Sequence, residues 1–479
     1  MSQPNYKEAL THPIFEIVTA AADELNLPVF VIGGFVRDFF LKRGKHTDID
    51  IVAVGNGIEL AKLVASKLPH KPKVQVFKTY GTAMLKAFDA EIEFVGARKE
   101  SYNENSRNPE VEQGTLTDDQ NRRDFTINAL ALQLNEKHFG DLLDPFNGIS
   151  DLGQELIKTP LDPEITYSDD PLRMMRAIRF ASQLNFKIEQ QSIDAITKYA
   201  DRIQIVSKER VMTEFNKIML SEKPSVGLKL MHKTKLLHQI LPELLALKGI
   251  DEIDGQSHKD NFWHTLEVVD NIAQETDDVW LRWAALLHDV GKAPTKKFTK
   301  RNGWTFHGHE FMGAKMVFQI FKRLKLPLND KMKYVQKLVL LSSRPIAVVD
   351  EDTTDSAVRR LIFDSGDYLE DLMLLCEADI TTKNPKRFKR YHENFKKVRH
   401  KIKEVEERDH VRNFQPPISG THIIEWFDLN PGREVGELKS AVKEAILDGE
   451  IPNEFEAAKA FLMHKAEKLG IALQNKEDV

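Results

Sequence analysis

Two aspartates one residue apart, Asp48 and Asp50, open the run Asp48-Ile-Asp-Ile-Val-Ala-Val54. On a strand, residues i and i+2 project from one face, so both carboxylates can reach a shared hard cation. Ahead of them the β-branched and aromatic run Pro28-Val-Phe-Val-Ile32 stops at Gly33-Gly34. Neither glycine carries a Cβ, so backbone N–H groups can approach a phosphate closely, and the helix that follows turns its positive end toward it. Further on, Asp170 and Arg173 share one helical turn. The carboxylate can accept from an exocyclic amine, which cytosine and adenine both carry, and the guanidinium can donate to a ring nitrogen or carbonyl. Another set combines His264 with the doublet His288-Asp289, which closes the apolar stretch Ala284-Ala-Leu-Leu287, and with the distant Asp379. Such a doublet buries two metal-ligating groups where water is scarce, and the four residues supply N and O ligands for a divalent cation. Alone, each piece reads more often as a turn, a solvated strand edge or a surface ion pair. Order and spacing carry the weight.

The elements that must position these groups change character along the chain. Up to about residue 150, strands alternate with helices: Pro28–Ile32, Asp48–Val54 and two more strands within Val74–Val95, with a turn near Asp89-Ala90. Phe35–Lys42 reads as a helix. Beyond Asp151, apolar residues recur at helical spacing over Leu172–Leu184, Lys208–Leu220, Ser225–Leu237, Phe262–Ile272, Val279–Leu287 and Phe311–Leu324. Pro242 and the Gly249–Gly255 stretch read as a linker. Ser101–Asp119, polar and acidic, reads as a flexible loop. Lys383–Arg412 holds twelve Lys or Arg against five Asp or Glu, and Phe395, Val398, Ile402 and Val405 would bury one helical stripe and leave a basic face.

At 479 residues the chain has room for about three domains. With 68 basic against 73 acidic residues, the net charge of −5 excludes a wholesale basic coat, so nucleic acid would be met by a local patch. A single cysteine, Cys376, excludes a disulfide framework and fits a reducing compartment. No apolar run reaches the ~18 residues of a membrane span, and the N-terminus lacks a signal-peptide stretch. The expectation is a soluble, cytoplasmic protein with no membrane partner.

The segment Gly33-Gly-Phe-Val-Arg-Asp-Phe-Phe-Leu-Lys-Arg-Gly-Lys-His-Thr-Asp-Ile-Asp50 resembles the DNA polymerase beta nucleotidyltransferase superfamily, in the branch of bacterial tRNA CCA-adding enzymes and poly(A) polymerases. Glu91-Ile-Glu-Phe-Val-Gly-Ala-Arg98, Arg122-Arg-Asp-Phe-Thr-Ile-Asn-Ala-Leu130, Asp144-Pro-Phe-Asn-Gly-Ile-Ser-Asp-Leu152, Asp169-Asp-Pro-Leu-Arg-Met-Met-Arg-Ala-Ile-Arg-Phe180 and Ser207-Lys-Glu-Arg210 with Glu214 follow in that branch's order. One departure is Asp169, where many relatives carry Glu. The resemblance implies that Asp48, Asp50 and a third carboxylate, Glu93, serve catalysis, with Mg²⁺ on Asp48 and Asp50. It further implies that Gly33, Gly34, Arg37, Arg122, Arg123 and Asn128 hold the nucleotide, and that Asp170 and Arg173 template CTP and ATP. The substrate would be the tRNA 3′ end, gripped through the basic Lys383–Arg412 body. His264, His288, Asp289 and Asp379 resemble the HD metal-dependent phosphohydrolase domain, with Lys292 against substrate phosphate and a transition metal (Ni²⁺, Co²⁺ or Mn²⁺) as the alternative cofactor. Serines in Leu338-Val-Leu-Leu-Ser-Ser-Arg-Pro345 replace histidines that a two-metal site needs.

The implied fold is an α+β polymerase-beta-like head with a small mixed sheet, followed by an all-α neck, HD domain and helical tail, with boundaries at 1–150, 151–250, 251–385 and 386–479. Template-independent CCA addition to tRNA with release of pyrophosphate is the implied function. The alternatives are CC-only or A-only addition, a poly(A) polymerase, or an HD-type phosphohydrolase of nucleotides or RNA ends.

Overall fold

The computed structural model describes residues 4–472, apart from 45–46, 79–80, 102–109, 349–353, 410–411 and 413–414. It divides into two compact units, residues 1–245 and 246–479.

The first unit is organised by a seven-stranded mixed sheet. Its strands are β1 (Val29–Ile32), β2 (Asp48–Ala53), β3 (Gln75–Phe77), β4 (Thr82–Ala87) and β5 (Ala90–Gly96). A separate two-stranded ribbon, β6 (Arg98–Ser101) with β7 (Glu110–Gln113), precedes the last two sheet strands, β8 (Ala131–Gln133) and β9 (Leu142–Leu143). The sheet order is β3-β4-β5-β2-β1-β8-β9. All four residues of β1 are buried, as befits an apolar run flanked on both sides by β2 and β8. In β2 the alternation buries Ile49 and Ile51 and leaves Asp48 and Asp50 on the other face. β2 runs parallel to β5 in a register that sets Asp50 beside Glu93. Three helices complete the head core: α1 (Ile14–Glu24), α2 (Gly34–Phe40) and α3 (Gly57–Lys67).

Three local readings are corrected. Val74–Val95 forms three strands, not two, because β3 pairs antiparallel with β4 ahead of the β4–β5 hairpin at Phe88-Asp89. Phe88 and Asp89 both have positive φ, the backbone a tight two-residue hairpin demands. Ser225–Leu237 is two helices, Pro224–Lys233 and Leu236–Ile240, broken where Lys235 is left-handed. The Gly249–Gly255 stretch contains half of a small hairpin, Glu252–Ile253 with Gln256–Ser257, turned by Asp254 and Gly255 at positive φ.

Of the expected loop Ser101–Asp119, residues 102–109 lie outside the described residues. The remainder is ordered: β7 pairs with β6, and Leu116–Asn121 is a helix whose start is closed by a Thr115–Asp118 capping box. Beyond the head, the neck helices Leu172–Leu184 and Lys208–Met219 pack on each other.

Among the described residues, the regular structure of the second unit is helical apart from two short hairpins. Asn261–Glu275, Val279–Leu287 and Leu369–Ala378 pack mutually. Pro385–Asp409 buries Phe395, Val398, Ile402 and Val405, the anticipated stripe. Part of its basic face is spent internally: Arg399 pairs with Glu377 at 2.8 Å and Arg408 with Asp355 at 2.7 Å. Among the described residues no helix is long and apolar enough to cross a membrane.

Candidate active site

Gly33 sits at φ +86°, and a Cβ there would lie 3.2 Å from Asp50 Oδ2 and 3.3 Å from Arg123 Nη1. Only glycine accepts that backbone and leaves room for both groups, so the Gly33-Gly34 turn is tied to the carboxylates sterically as well as by order. Burial pushes the Asp50 carboxyl up, Arg123 pulls against that, and Asp48 adds to it. Glu93 remains exposed on β5. Its carboxyl is also raised, by desolvation and then by the neighbouring Asp50 charge. Mutually repelling carboxylates on adjacent parallel strands are the donor set a hard divalent cation relieves. Their oxygens do not all converge to within 4.8 Å of one another in this structure. As a donor set Asp48, Asp50 and Glu93 fit such a cation.

Behind them lies an arginine network. Arg37 is buried, with Nε and Nη2 on Asp38 at 2.7 and 2.9 Å and Nη1 on Asn128 Oδ1 at 2.8 Å. Its guanidinium lies 5.0 Å from the Phe180 ring centroid. Arg37 and Asn128 are thus bonded to one another, and Asn128 Nδ2 donates to Asp124 at 3.0 Å. Asp124 is buried and also accepts from Arg176 Nε at 2.7 Å. Burial works to raise its carboxyl, and the Arg176 charge with the Asn128 bond outweighs it, holding Asp124 down to about 2. Arg179, over the Phe180 ring at 4.1 Å and 3.1 Å from Glu214, is lowered by burial to about 10.

These groups frame a cavity of about 320 Å³ lined by Arg122, Arg123, Asp170, Arg173, Arg176 and Arg210, among others. Asp170 Oδ1 accepts from the Leu172 backbone N–H at 3.1 Å, fixing the start of the helix, and Arg173 Nη2 donates to the Arg122 carbonyl at 2.6 Å. The structure therefore gathers Arg122, Arg123, Asp170 and Arg173 around one cavity, with Gly33 and Asp50 against Arg123. Arg37 and Asn128 brace it from behind. Sequence reasoning assigned no role to Asp119, Arg176 or Arg210. The spacings Asp119–Arg122, Asp119–Arg123 and Arg173–Arg176, at i,i+3 or i,i+4, were the available signal.

In the second unit, helix Asn261–Glu275, capped by Asp260, carries His264; His288-Asp289 follows Val279–Leu287; Asp379 follows Leu369–Ala378. His264 Nε2 is 2.7 Å from Asp379 Oδ1, and His288 Nε2 is 3.5 Å from the same oxygen. His264, His288 and Asp379 form the one three-ligand group that converges within 4.8 Å among the described residues. His288 Nε2 is buried and makes no hydrogen bond of good geometry, a disposition that suits a metal ligand. Asp289 lies beside that group: its Oδ2 is 3.4 Å from His288 Nε2 and 3.9 Å from His264 Nε2, and it also receives Lys292 Nζ at 2.7 Å. Burial works to lower His288, and the charges of Asp289 and Asp379 lift it to about 10. Lys259 Nζ, unremarked in the sequence, contacts His264 Nδ1 at 2.7 Å and Thr381 Oγ1 at 2.8 Å. Asp379 and Lys259 border a cavity of about 1340 Å³, whose other wall includes Arg390 and Tyr391. Ser342 and Ser343 hold the Val339 carbonyl and Glu310, respectively.

Comparison with known proteins gives three family matches: the Poly A polymerase head domain over residues 29–158, the probable RNA and SrmB-binding site of polymerase A over 185–247, and the HD domain over 261–380. The A-adding tRNA nucleotidyltransferase of Deinococcus radiodurans is 32% identical over 74% of this chain and 80% of its own length. The CCA-adding enzyme of Bacillus velezensis is 28% identical over 88% of this chain and 91% of its own. The chain spans 42% of the Aquifex aeolicus A-adding tRNA nucleotidyltransferase, at 30% identity over 68% of its own residues. Among solved structures, the Bacillus stearothermophilus CCA-adding enzyme in complex with CTP aligns with a TM-score of 0.67 at 21% identity, over 96% of this chain and 99% of that one. The Thermotoga maritima CCA-adding enzyme complexed with tRNA aligns at 0.61 and 22%, over 97% and 100%.

Proposed function

The chain belongs to the tRNA nucleotidyltransferase family, and from that membership and the arginine-lined cavity we propose that it adds C, C and A to tRNA 3′ ends from CTP and ATP without a nucleic-acid template. The observation that supports this most is the meeting of three sequence motifs at Arg122 and Arg123: Gly33 and Asp50 against Arg123, and the Arg122 carbonyl bonded to Arg173. Members of this family depend on a divalent metal, here assigned as Mg²⁺ on Asp48 and Asp50. When bound there, it supplies charge neutralisation and activation of the terminal ribose hydroxyl. Arg122 and Arg123 neutralise triphosphate charge, while Asp170 and Arg173 accept and donate at the base edge, a pattern that admits cytosine and adenine. The hydroxyl oxygen bonds to the α-phosphorus as pyrophosphate leaves. Residues 1–150 act as head, 151–250 as neck, 251–385 as HD domain and 386–479 as an RNA-holding tail, in the cytoplasm.

The deciding assay uses tRNA transcripts ending at the discriminator base, at C and at CC, beside an oligo(A) primer, with labelled CTP or ATP and Mg²⁺. Addition that stops after CCA on all three transcripts is the expected result. Addition of A alone to the CC transcript would make it an A-adding enzyme, the reading favoured by the identity of 32% to the Deinococcus relative. Long A tails on any primer would make it a poly(A) polymerase. A second reading, favoured by the convergence of His264, His288 and Asp379, is phosphohydrolase activity in the second unit. It predicts release of phosphate from nucleotides or RNA ends with Ni²⁺, Co²⁺ or Mn²⁺, abolished by Asp379→Ala.

A further inference from the structure

We propose that Asp119 is a positioning residue that clamps Arg122 and Arg123 together and so couples triphosphate binding to base choice. The inference rests on the nucleotidyltransferase reading and adds to it a residue outside every motif assigned above. Asp119 is fully buried on the helix Leu116–Asn121. Its two oxygens are divided between two guanidiniums. Oδ1 accepts from Arg122, with Nε at 3.0 Å and Nη2 closer still. Oδ2 accepts from Arg123, with Nε and Nη2 both at 3.2 Å. A carboxylate is tolerated at such depth because each lone-pair direction meets a charged donor. One negative charge against two positive ones leaves a net cation on the side that both arginines present to the cavity.

Each arginine leads to a different part of the site. Arg123 Nη1 crowds Gly33 next to Asp50 Oδ2, the catalytic end. The carbonyl of Arg122 receives Arg173 Nη2 at 2.6 Å, the base-reading end. Loosening the clamp would therefore be felt by the triphosphate through the Arg123 guanidinium, and by the base as the Arg122 residue loses its anchor and its backbone carbonyl, which Arg173 bonds, shifts. The two effects should rise together when the clamp is loosened.

The test compares the full chain with Asp119→Asn, which keeps the shape, removes the charge and leaves one oxygen to serve two guanidiniums. Two readouts are taken: ATP and CTP binding by calorimetry, and incorporation of all four nucleotides on tRNA. The expected result is a Kd and KM for both nucleotides raised roughly tenfold or more, a smaller change in kcat, and UTP or GTP misincorporation raised several-fold. Arg123→Ala should then cost less in the Asp119→Asn background than in the wild type, a coupling that a purely structural role would not produce. Unchanged binding and discrimination in a folded Asp119→Asn variant, or strict additivity with Arg123→Ala, would overturn the clamp. If Asp119→Asn does not fold, Arg122→Lys replaces it, because a single ammonium cannot make the two-nitrogen contact with Asp119 that anchors residue 122. Unaltered discrimination there also overturns the proposal. Weakened binding in the variant of a protein that incorporates nothing would retain the clamp and reject the nucleotidyltransferase reading.

Discussion

The two candidate sites are built with opposite polarity. In the first unit Asp119 is buried beneath Arg122 and Arg123, and the arginines Arg122, Arg123, Arg173, Arg176 and Arg210 outnumber the acids Asp124, Asp170 and Glu214 in the cavity lining. In the second, Asp379 and Asp289 stand at the centre beside His264 and His288, with Lys259 and Lys292 closing around them. A cavity whose lining carries more guanidiniums than carboxylates is complementary to a polyphosphate. A centre of carboxylate and imidazole is complementary to a metal cation. The contrast shows that similar residue types yield different chemistry according to which sign of charge is desolvated.

The largest expected effect breaks the comparison outright. Asp48→Ala or Asp50→Ala should lower nucleotide incorporation by about a thousandfold or more, the scale of losing a group that stabilises charge in the transition state. Asp379→Ala should leave it within about twofold while removing any phosphohydrolase activity. Initial rates with labelled ATP check both. A collapse of incorporation in Asp379→Ala would merge the two sites into one activity.

Next comes stability, where two carboxyls held at about 2 should behave differently. Asp124→Ala unpairs Arg176, which is partly open to the cavity, and leaves the buried Asn128 amide without its acceptor, and should cost about 2–3 kcal/mol. Asp409, in the second unit, is held at about 2 by its bond to Arg408 and then by Arg359, but near the surface, so Asp409→Ala should cost only about 0–1 kcal/mol. Urea denaturation followed by circular dichroism measures both. Because the folded value of Asp124 lies below the unfolded 3.8, its contribution is present above that pH and lost as pH falls toward about 2. The wild type and Asp124→Ala should therefore converge in stability over that acid window.

A smaller effect concerns base choice. Arg173→Ala should relax discrimination of CTP and ATP against UTP by about 1–3 kcal/mol, read as the ratio of kcat/KM values. Equal ratios in variant and wild type would remove Arg173 from base recognition and leave it only as the support of the Arg122 carbonyl.

What was legible in the sequence was local. Asp48 and Asp50 alternate on one strand, and Gly33 interrupts an apolar run, so their placement on one face and at a turn follows from period and spacing. The apolar stripe of Phe395 to Val405 is equally local, and its burial follows. The partners that set the chemistry are remote: Arg176 meets Asp124 from 52 residues away, and Lys259 meets Thr381 from 122. No periodicity reports such pairings. Asp119 fell inside a segment read as a loop because its polar composition masks the helix that the Thr115 cap begins. Asp289 belongs to the motif by its neighbours, yet in the fold its Oδ2 is shared between His288 and Lys292, one turn on. That depends on side-chain geometry, which residue order does not specify.

The smallest predicted effect separates the sites by what a neutral residue does at their centre. Burial and the Asp48 charge hold the Asp50 carboxyl above its ordinary value even against Arg123. An acid whose folded pKa exceeds its unfolded one binds its proton more tightly in the native state. Stability therefore falls as pH rises from 3.8 through the folded value, and the ionised group weakens the fold at every higher pH. Asp50→Asn removes that penalty and should stabilise the metal-free protein at pH 7.5 by about 0.5–2 kcal/mol while abolishing incorporation. The gain should shrink as pH falls through the raised folded value, where the wild-type carboxyl takes up its proton, and again in saturating Mg²⁺, which stabilises the wild type more than the variant. The converse holds for Asp379, whose carboxyl is depressed by His264 and His288 in spite of its burial, so Asp379→Asn should lower stability at the same pH. Thermal melts in EDTA and in Mg²⁺ across pH 4–8 measure all of these, and a lower melting temperature for Asp50→Asn at pH 7.5 in EDTA would show that the Arg123 attraction exceeds the burial cost.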